Sequence, residues 1–103
     1  MAKLRMTRSR GDVFRDLGFS ADESESLRVR AELMLNLQKA IAARKLKQGE
    51  AAALLGVSQP RVSDVVRGRI DLFSSETLID MLARLGVRTK LAFQLSRRGA
   101  GVA

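Results

Sequence analysis

The sequence contains no cysteine and no histidine. Disulfides and thiolate-held metals are thereby excluded, and without histidine the usual zinc ligands and the commonest general base are missing too. No serine, aspartate or lysine stands as a nucleophile beside a plausible base, so the expectation is a non-enzyme with no cofactor and no metal site. Tryptophan and tyrosine are also absent, and four phenylalanines are all the aromatics. A core must then be built from Leu, Val, Ala and Met, the composition of a single small helical domain. No apolar run approaches the roughly 18 residues of a membrane-spanning helix, and the basic N-terminus lacks the apolar stretch of a signal peptide. A cytoplasmic protein without membrane contact is expected.

What is present in excess is positive charge. Nineteen Lys and Arg stand against eleven Asp and Glu, giving a formal net charge of +8. Such a balance favours a polyanionic partner, because cations that neutralise phosphates release condensed counterions. The distribution is uneven. Residues 1–10 carry Lys3, Arg5, Arg8 and Arg10 with no acid; residues 11–26 carry five acids against Arg15; residues 27–48 carry six bases against Glu32.

Hydrophobic spacing divides the chain further. Residues 1–12 have little apolar periodicity and read as a flexible basic arm. "DVFRDLGF" then gathers Val13, Phe14, Leu17 and Phe19. "SADE", from Ser20, has the spacing of a capping box, in which a serine hydroxyl and a glutamate carboxylate each take an amide at a helix start. From there Leu27, Ala31, Met34, Leu37 or Gln38, and Ile41 recur at helical spacing and predict one long helix ending near residues 44–46.

"QGEAAALL", residues 48–55, predicts a short second helix stopped by Gly56. Lys47 supplies no cap for it, and Gly49 costs about 1 kcal/mol of helix propensity against alanine, so its start is expected to fray. Ser58 can cap a third helix, Pro60 fits its first turn and Gly68 can end it. Ser74 can cap a fourth, with Phe73 and Leu78 as a hydrophobic staple and Gly86 at its end. Beyond Gly86 the period becomes two, with Val87, Thr89, Leu91, Phe93 and Leu95 on one face. A strand is predicted, and since no second run alternates in this way, it is expected to pair with its counterpart in a second copy. The organisation is thus residues 1–19 as arm and apolar segment, 20–86 as helical domain, 87–95 as dimerising strand and 96–103 as disordered tail.

Within residues 48–67, small residues fall at close approaches and branched apolar ones at contacts, the logic of two helices joined by a tight turn. Gln48, Ala52, Gly56, Val62 and Val65 stand at the first, fifth, ninth, fifteenth and eighteenth positions of this span. On these residues the chain resembles the Xre/Cro-type helix-turn-helix family. "DVFRDLGF" before it and "RGRIDLFSSETLIDMLARLG" after it are similar, more narrowly, to the HigA-type antitoxins of toxin–antitoxin systems. The resemblance implies a mainly α, lambda-repressor-like bundle of four to five helices, with the C-terminal β-strand pairing across a dimer. It also implies a repressor that binds double-stranded DNA at a pseudo-palindromic operator in its own promoter, and a RelE/HigB-like, RNA-cleaving toxin as second partner. A stand-alone or phage-type regulator without a toxin shares most of these residues. A protein-interaction adaptor on the same scaffold is the alternative of another class.

If Val62, Val65 and Val66 face inward, Gln59, Pro60, Arg61, Ser63 and Asp64 occupy the outward arc of the third helix as candidate base readers. Arg61 can donate a fork to guanine, Gln59 can pair with adenine or bond a phosphate, and Asp64 can accept from cytosine or repel the backbone from wrong registers. Alternatively Arg61 and Asp64, three apart, form an exposed ion pair worth little. Gln48, Ser58, Arg67 and Arg69 are candidate phosphate contacts, which fix register without reading sequence. Arg44, Lys45 and Lys47 either extend that footprint or are simply solvated. Val13, Phe14, Leu17 and Phe19 either cover the core or dock a toxin.

Overall fold

The computed structural model describes residues 14–95. A single helical turn at residues 14–16 leads into α1 (Ala21–Ala43), α2 (Gln48–Leu55), α3 (Gln59–Val66) and α4 (Ser75–Arg84), with a short 3-10 turn at Ile70–Leu72 before α4. α1 begins where the capping box predicts. The Ser20 hydroxyl accepts from the Glu23 amide at 3.1 Å, and the Glu23 carboxylate accepts from the Ser20 amide at 3.0 Å. These bonds hold the Glu23 carboxyl below the usual carboxylate range, the Ser20 amide being the larger cause. At the far end, Lys45 turns into the left-handed region (φ +55°), and the amides of Lys45 and Leu46 return to the carbonyls of Ala42 and Ile41.

α1 is the spine of the domain. Leu33, Met34, Leu37 and Ile41 from α1 meet Ala51 and Leu55 from α2, Val62 and Val65 from α3, and Phe73, Leu78, Met81, Leu82 and Leu85 around α4. The predicted stripe is largely met: Ala31, Met34, Leu37 and Ile41 are buried, Leu33 joins them, and Leu27 is only half-buried. Phe73 and Leu78 both lie in the core, as a staple across the start of α4 requires.

Two expectations change, and a third finds no support within the single chain. α2 starts cleanly at Gln48, because the Glu50 carboxylate accepts from the Lys47 amide at 2.8 Å and supplies half of a capping box that needs nothing from the lysine side chain. Val66 does not face inward: it is 51% exposed, whereas Val62 and Val65 are fully buried. At 100° per residue, two valines three apart fill one narrow stripe, and a third valine next to Val65 falls off its edge. Residues 87–95 form no strand, and no strand occurs among the described residues. Val87 packs on the core and its amide bonds the Leu82 carbonyl at 2.9 Å, but Leu91, Phe93 and Leu95 are 70%, 92% and 78% exposed, while Thr89 is half-buried. Among the described residues the alternating run meets no complementary edge, so its ladder bonds have nothing there to form with. The basic arm at 1–12, Val13 and the tail at 96–103 lie outside the described residues.

Candidate nucleic-acid interface

α2 and α3 are joined by a tight turn. Gly56 closes α2 at φ +69°, and the Val57 amide bonds the Ala52 carbonyl at 3.1 Å. A Cβ at Gly56 would stand 3.2 Å from Arg84 Nη1, the end of a half-exposed side chain that can give way, so it is the left-handed conformation that favours glycine there. Ser58 opens α3, its hydroxyl accepting from the Arg61 amide at 3.3 Å, and Pro60 sits in the first turn, where an amide has no intrahelical partner. Val62 and Val65 then seat the helix on the core.

The other end of α3 is fastened twice. Gly68 (φ +74°) reverses the chain, with the Gly68 amide on the Val65 carbonyl at 2.9 Å and the Arg69 amide on the Asp64 carbonyl at 3.0 Å. Gln38 of α1 reaches across and donates from Nε2 to the carbonyls of Val65 at 2.9 Å and Val66 at 3.3 Å. A side chain 27 and 28 residues earlier thereby adds a second donor to the Val65 carbonyl, which already accepts from Gly68, and supplies one to the Val66 carbonyl. Gln38 was missed as a site residue in the sequence. The one available signal was a polar glutamine competing with Leu37 for a place on the apolar stripe.

The outward arc is more selective than sequence spacing suggests. Gln59, Pro60 and Arg67 are exposed, and Ser63 and Asp64 are half-buried beside them. Gln59 extends towards the first turn of α2: its Nε2 lies 3.6 Å from where a Cβ on Gly49 would stand. Gln48, at the start of α2, is exposed next to that glycine. Arg61 departs from the expected place. Its guanidinium lies over the Phe73 ring, 4.1 Å from the centroid, and the residue is half-buried. Such stacking draws on the negative face of the ring and shields part of the arginine from water. Arg61 is therefore on the flank of α3 that meets the α4 approach, and it forms no ion pair with Asp64.

The candidate phosphate contacts divide in the same way. Ser58 spends an oxygen lone pair on its capping bond, although its hydroxyl hydrogen remains available. Arg69 pairs with Asp71 at 3.5 Å, both well exposed, a contact of little energetic weight. Gln48 and Arg67 are exposed, and so are Arg44, Lys45 and Lys47. The shortest ion pairs among the described residues lie elsewhere, on the N-terminal half of α1. There Arg28 bonds Glu25 at 2.7 Å and Glu32 at 3.2 Å, which lowers the Glu25 carboxyl and raises the already high Arg28.

The N-terminal aromatic segment is split between its two readings. Phe14 is half-buried in a shallow hollow beside Met34, Gln38 and Ile70, and stacks edge-on to Phe19 with centroids 6.2 Å apart. Leu17 is 69% and Phe19 41% exposed, so neither covers the core.

Two helices held at a tight turn, the second presenting a polar face, define a helix-turn-helix protein. The comparisons agree. A family model described as a helix-turn-helix domain matches residues 13–93, and the chain belongs to that family. The fold is also similar to a solved structure described as an XRE-family transcriptional regulator, with 29% identity and a TM-score of 0.67, over 74% of this chain and 85% of the other. No curated protein matches the chain.

Proposed function

We propose that the protein is a sequence-specific DNA-binding transcriptional repressor of the Xre type. The observation that carries this reading is α3 itself: a short helix seated by Val62 and Val65 and fastened at both ends, with Gln59, Pro60, Ser63, Asp64 and Arg67 turned outward. A net charge of +8 supplies the electrostatic attraction to phosphate, and the likeness to an XRE-family regulator supports the same assignment. A dimer would set two copies of α3 in successive major grooves about one helical turn apart, at a pseudo-palindromic operator. The exposed apolar residues Leu91, Phe93 and Leu95 are the proposed seam of that dimer, each strand supplying the other's missing ladder.

The finer reading is that of an autoregulating antitoxin, with Leu17 and Phe19 as the surface offered to a RelE/HigB-like toxin. Their exposure beside the acidic start of α1 favours it over a regulator acting alone. We further propose that the protein is not an enzyme and works in the cytoplasm. Among the described residues no helix is long and apolar enough to cross a membrane.

A mobility-shift titration on the DNA upstream of the gene tests the main claim. Binding is expected to prefer that DNA over random duplex and to weaken by orders of magnitude between low and moderately high salt. Equal binding to both duplexes would refute the repressor, and absence of any salt-dependent DNA binding would favour the adaptor alternative. The antitoxin claim is tested separately, by whether a neighbouring small basic reading frame yields a ribonuclease that the protein inhibits.

A further inference from the structure

The two arginines of the α3 region occupy opposite situations. Arg61 is committed to the Phe73 ring, on the flank of the helix. Arg67 is exposed and has no ion-pair partner among the described residues, although Asp64 stands one turn before it. On a helix, residues three, four and seven apart share a face, which places Arg67 in line with Asp64, Ser63 and Pro60. The backbone at Arg67 is still helical (φ −77°, ψ −9°), its amide bonds the Ser63 carbonyl at 3.0 Å, and the chain reverses only at Gly68. Arg67 is thus the last side chain on the outward face, aimed with the base-reading residues and away from the flanks.

From this we infer that Arg67, and not Arg61, is the guanine-reading arginine of the interface, with Arg61 a positioning residue that clamps α3 to the segment before α4. The inference rests on the DNA-binding reading above. Its chemistry is the bidentate fork: two guanidinium N–H groups donate to O6 and N7 of guanine in the major groove. Asp64 favours a base over a phosphate at this place, because a carboxylate beside Arg67 repels the phosphate backbone and accepts well from a cytosine amino group. Arg61, by contrast, is half-buried and held against the ring of a phenylalanine that is buried in the core.

The test is selection of bound sequences from a random duplex pool by the wild-type protein, Arg67→Ala, Arg67→Lys and Arg61→Ala, followed by titrations on the selected duplex. One preferred guanine per half-site is expected to lose about ten- to a hundred-fold of its preference in Arg67→Ala, with the other positions kept, and Arg67→Lys, whose ammonium can still donate to O6 and N7, is expected to lose less. Replacing that guanine by 7-deazaguanine, which lacks the N7 acceptor, is expected to weaken the wild type and leave Arg67→Ala unaffected. Arg61→Ala should keep the guanine preference and unfold at a lower denaturant concentration than the wild type. If the guanine preference survives Arg67→Ala and vanishes in Arg61→Ala, the assignment is reversed. If Arg67→Ala weakens all duplexes equally and flattens the salt dependence, Arg67 is a phosphate contact and the inference fails. A wild type that selects no sequence removes the repressor reading together with this inference.

Discussion

The helix-turn-helix unit and the chain on either side of it use apolar residues in opposite ways. Between α1 and α4 most large apolar side chains are consumed within the chain, with Leu54, Val66 and Leu72 as exposed exceptions: Leu37, Leu55, Val62, Val65, Leu78 and Met81 are all fully or almost fully buried. In the flanks, Leu17 and Phe19 before α1 and Leu91, Phe93 and Leu95 after α4 stay in contact with water. Both sets are strongly apolar, the buried one rich in Leu, Val and Met with Phe73 as its phenylalanine and the exposed one built of Leu and Phe, so hydrophobicity alone does not separate them. What separates them is whether the chain supplies a complementary face. The interior set stabilises the monomer, whereas contiguous exposed apolar residues of this kind are what protein interfaces are made from.

Substitutions in the two sets should therefore diverge most sharply. Leu37→Ala, which empties a fully buried site on α1, is expected to cost about 2–5 kcal/mol in chemical denaturation. Phe93→Ala, at a side chain almost fully exposed, should leave the folding of the dilute monomer unchanged and reduce the mass measured in solution at high concentration. A Phe93→Ala protein that loses monomer stability would break the contrast.

The fastening of α3 gives the next effect. Gln38→Ala leaves the carbonyls of Val65 and Val66 without their side-chain donor and should cost about 1–2 kcal/mol by thermal unfolding. Because α3 is also the proposed reading helix, DNA affinity should fall in the same variant. An unchanged melting temperature would mean that water replaces the glutamine at no cost.

Gly49 is expected to work in the other direction. Its φ lies outside the left-handed region, and a Cβ there would meet the Gln59 amide at 3.6 Å, an ordinary van der Waals contact. Gly49→Ala should consequently stabilise the fold by up to about 1 kcal/mol through helix propensity, readable as a higher denaturation midpoint. A loss of stability would show that Gln59 is packed more tightly on α2 than its distance indicates.

The smallest expected effect is the pH response of the α1 start. The Glu23 carboxyl titrates below its ordinary value because it accepts the Ser20 amide bond, so its contribution is present above that ordinary value and is lost as pH falls through the lowered one. Amide exchange at the first turn of α1 should accelerate in that acidic window in the wild type. Glu23→Gln, which keeps an acceptor that does not titrate, should show a weaker acid dependence. Equal acid responses would exclude the capping box as the cause.

How much was legible follows from the range of the forces involved. Ser20 with Glu23, Ser58 with Pro60, and Ser74 are local devices, acting within one turn, and each marks a helix start that the structure confirms. Lys47 misled because the capping bond there comes from Glu50, on the opposite side of the same box. Val62 and Val65 were readable from their spacing. Val66 was not, because residue type alone does not say where a buried stripe ends. Arg61 was misplaced for a related reason, since its partner Phe73 is twelve residues away and joined through a turn whose course the periodicity does not encode.

The sequence by itself determined the helix boundaries, the tight turn at Gly56, the identity of most of the core and the sign of the charge. These depend on backbone preferences, caps and hydrophobic period, which operate over a few neighbouring residues. Only the tertiary structure decided that Gln38 would close the end of α3, that Arg61 would be held on Phe73 while Arg67 stands clear, and that the two apolar flanks would remain uncovered. Each of those outcomes turns on which surfaces meet across long stretches of chain, and a side chain of fixed chemistry takes its role from the partner that packing brings within reach.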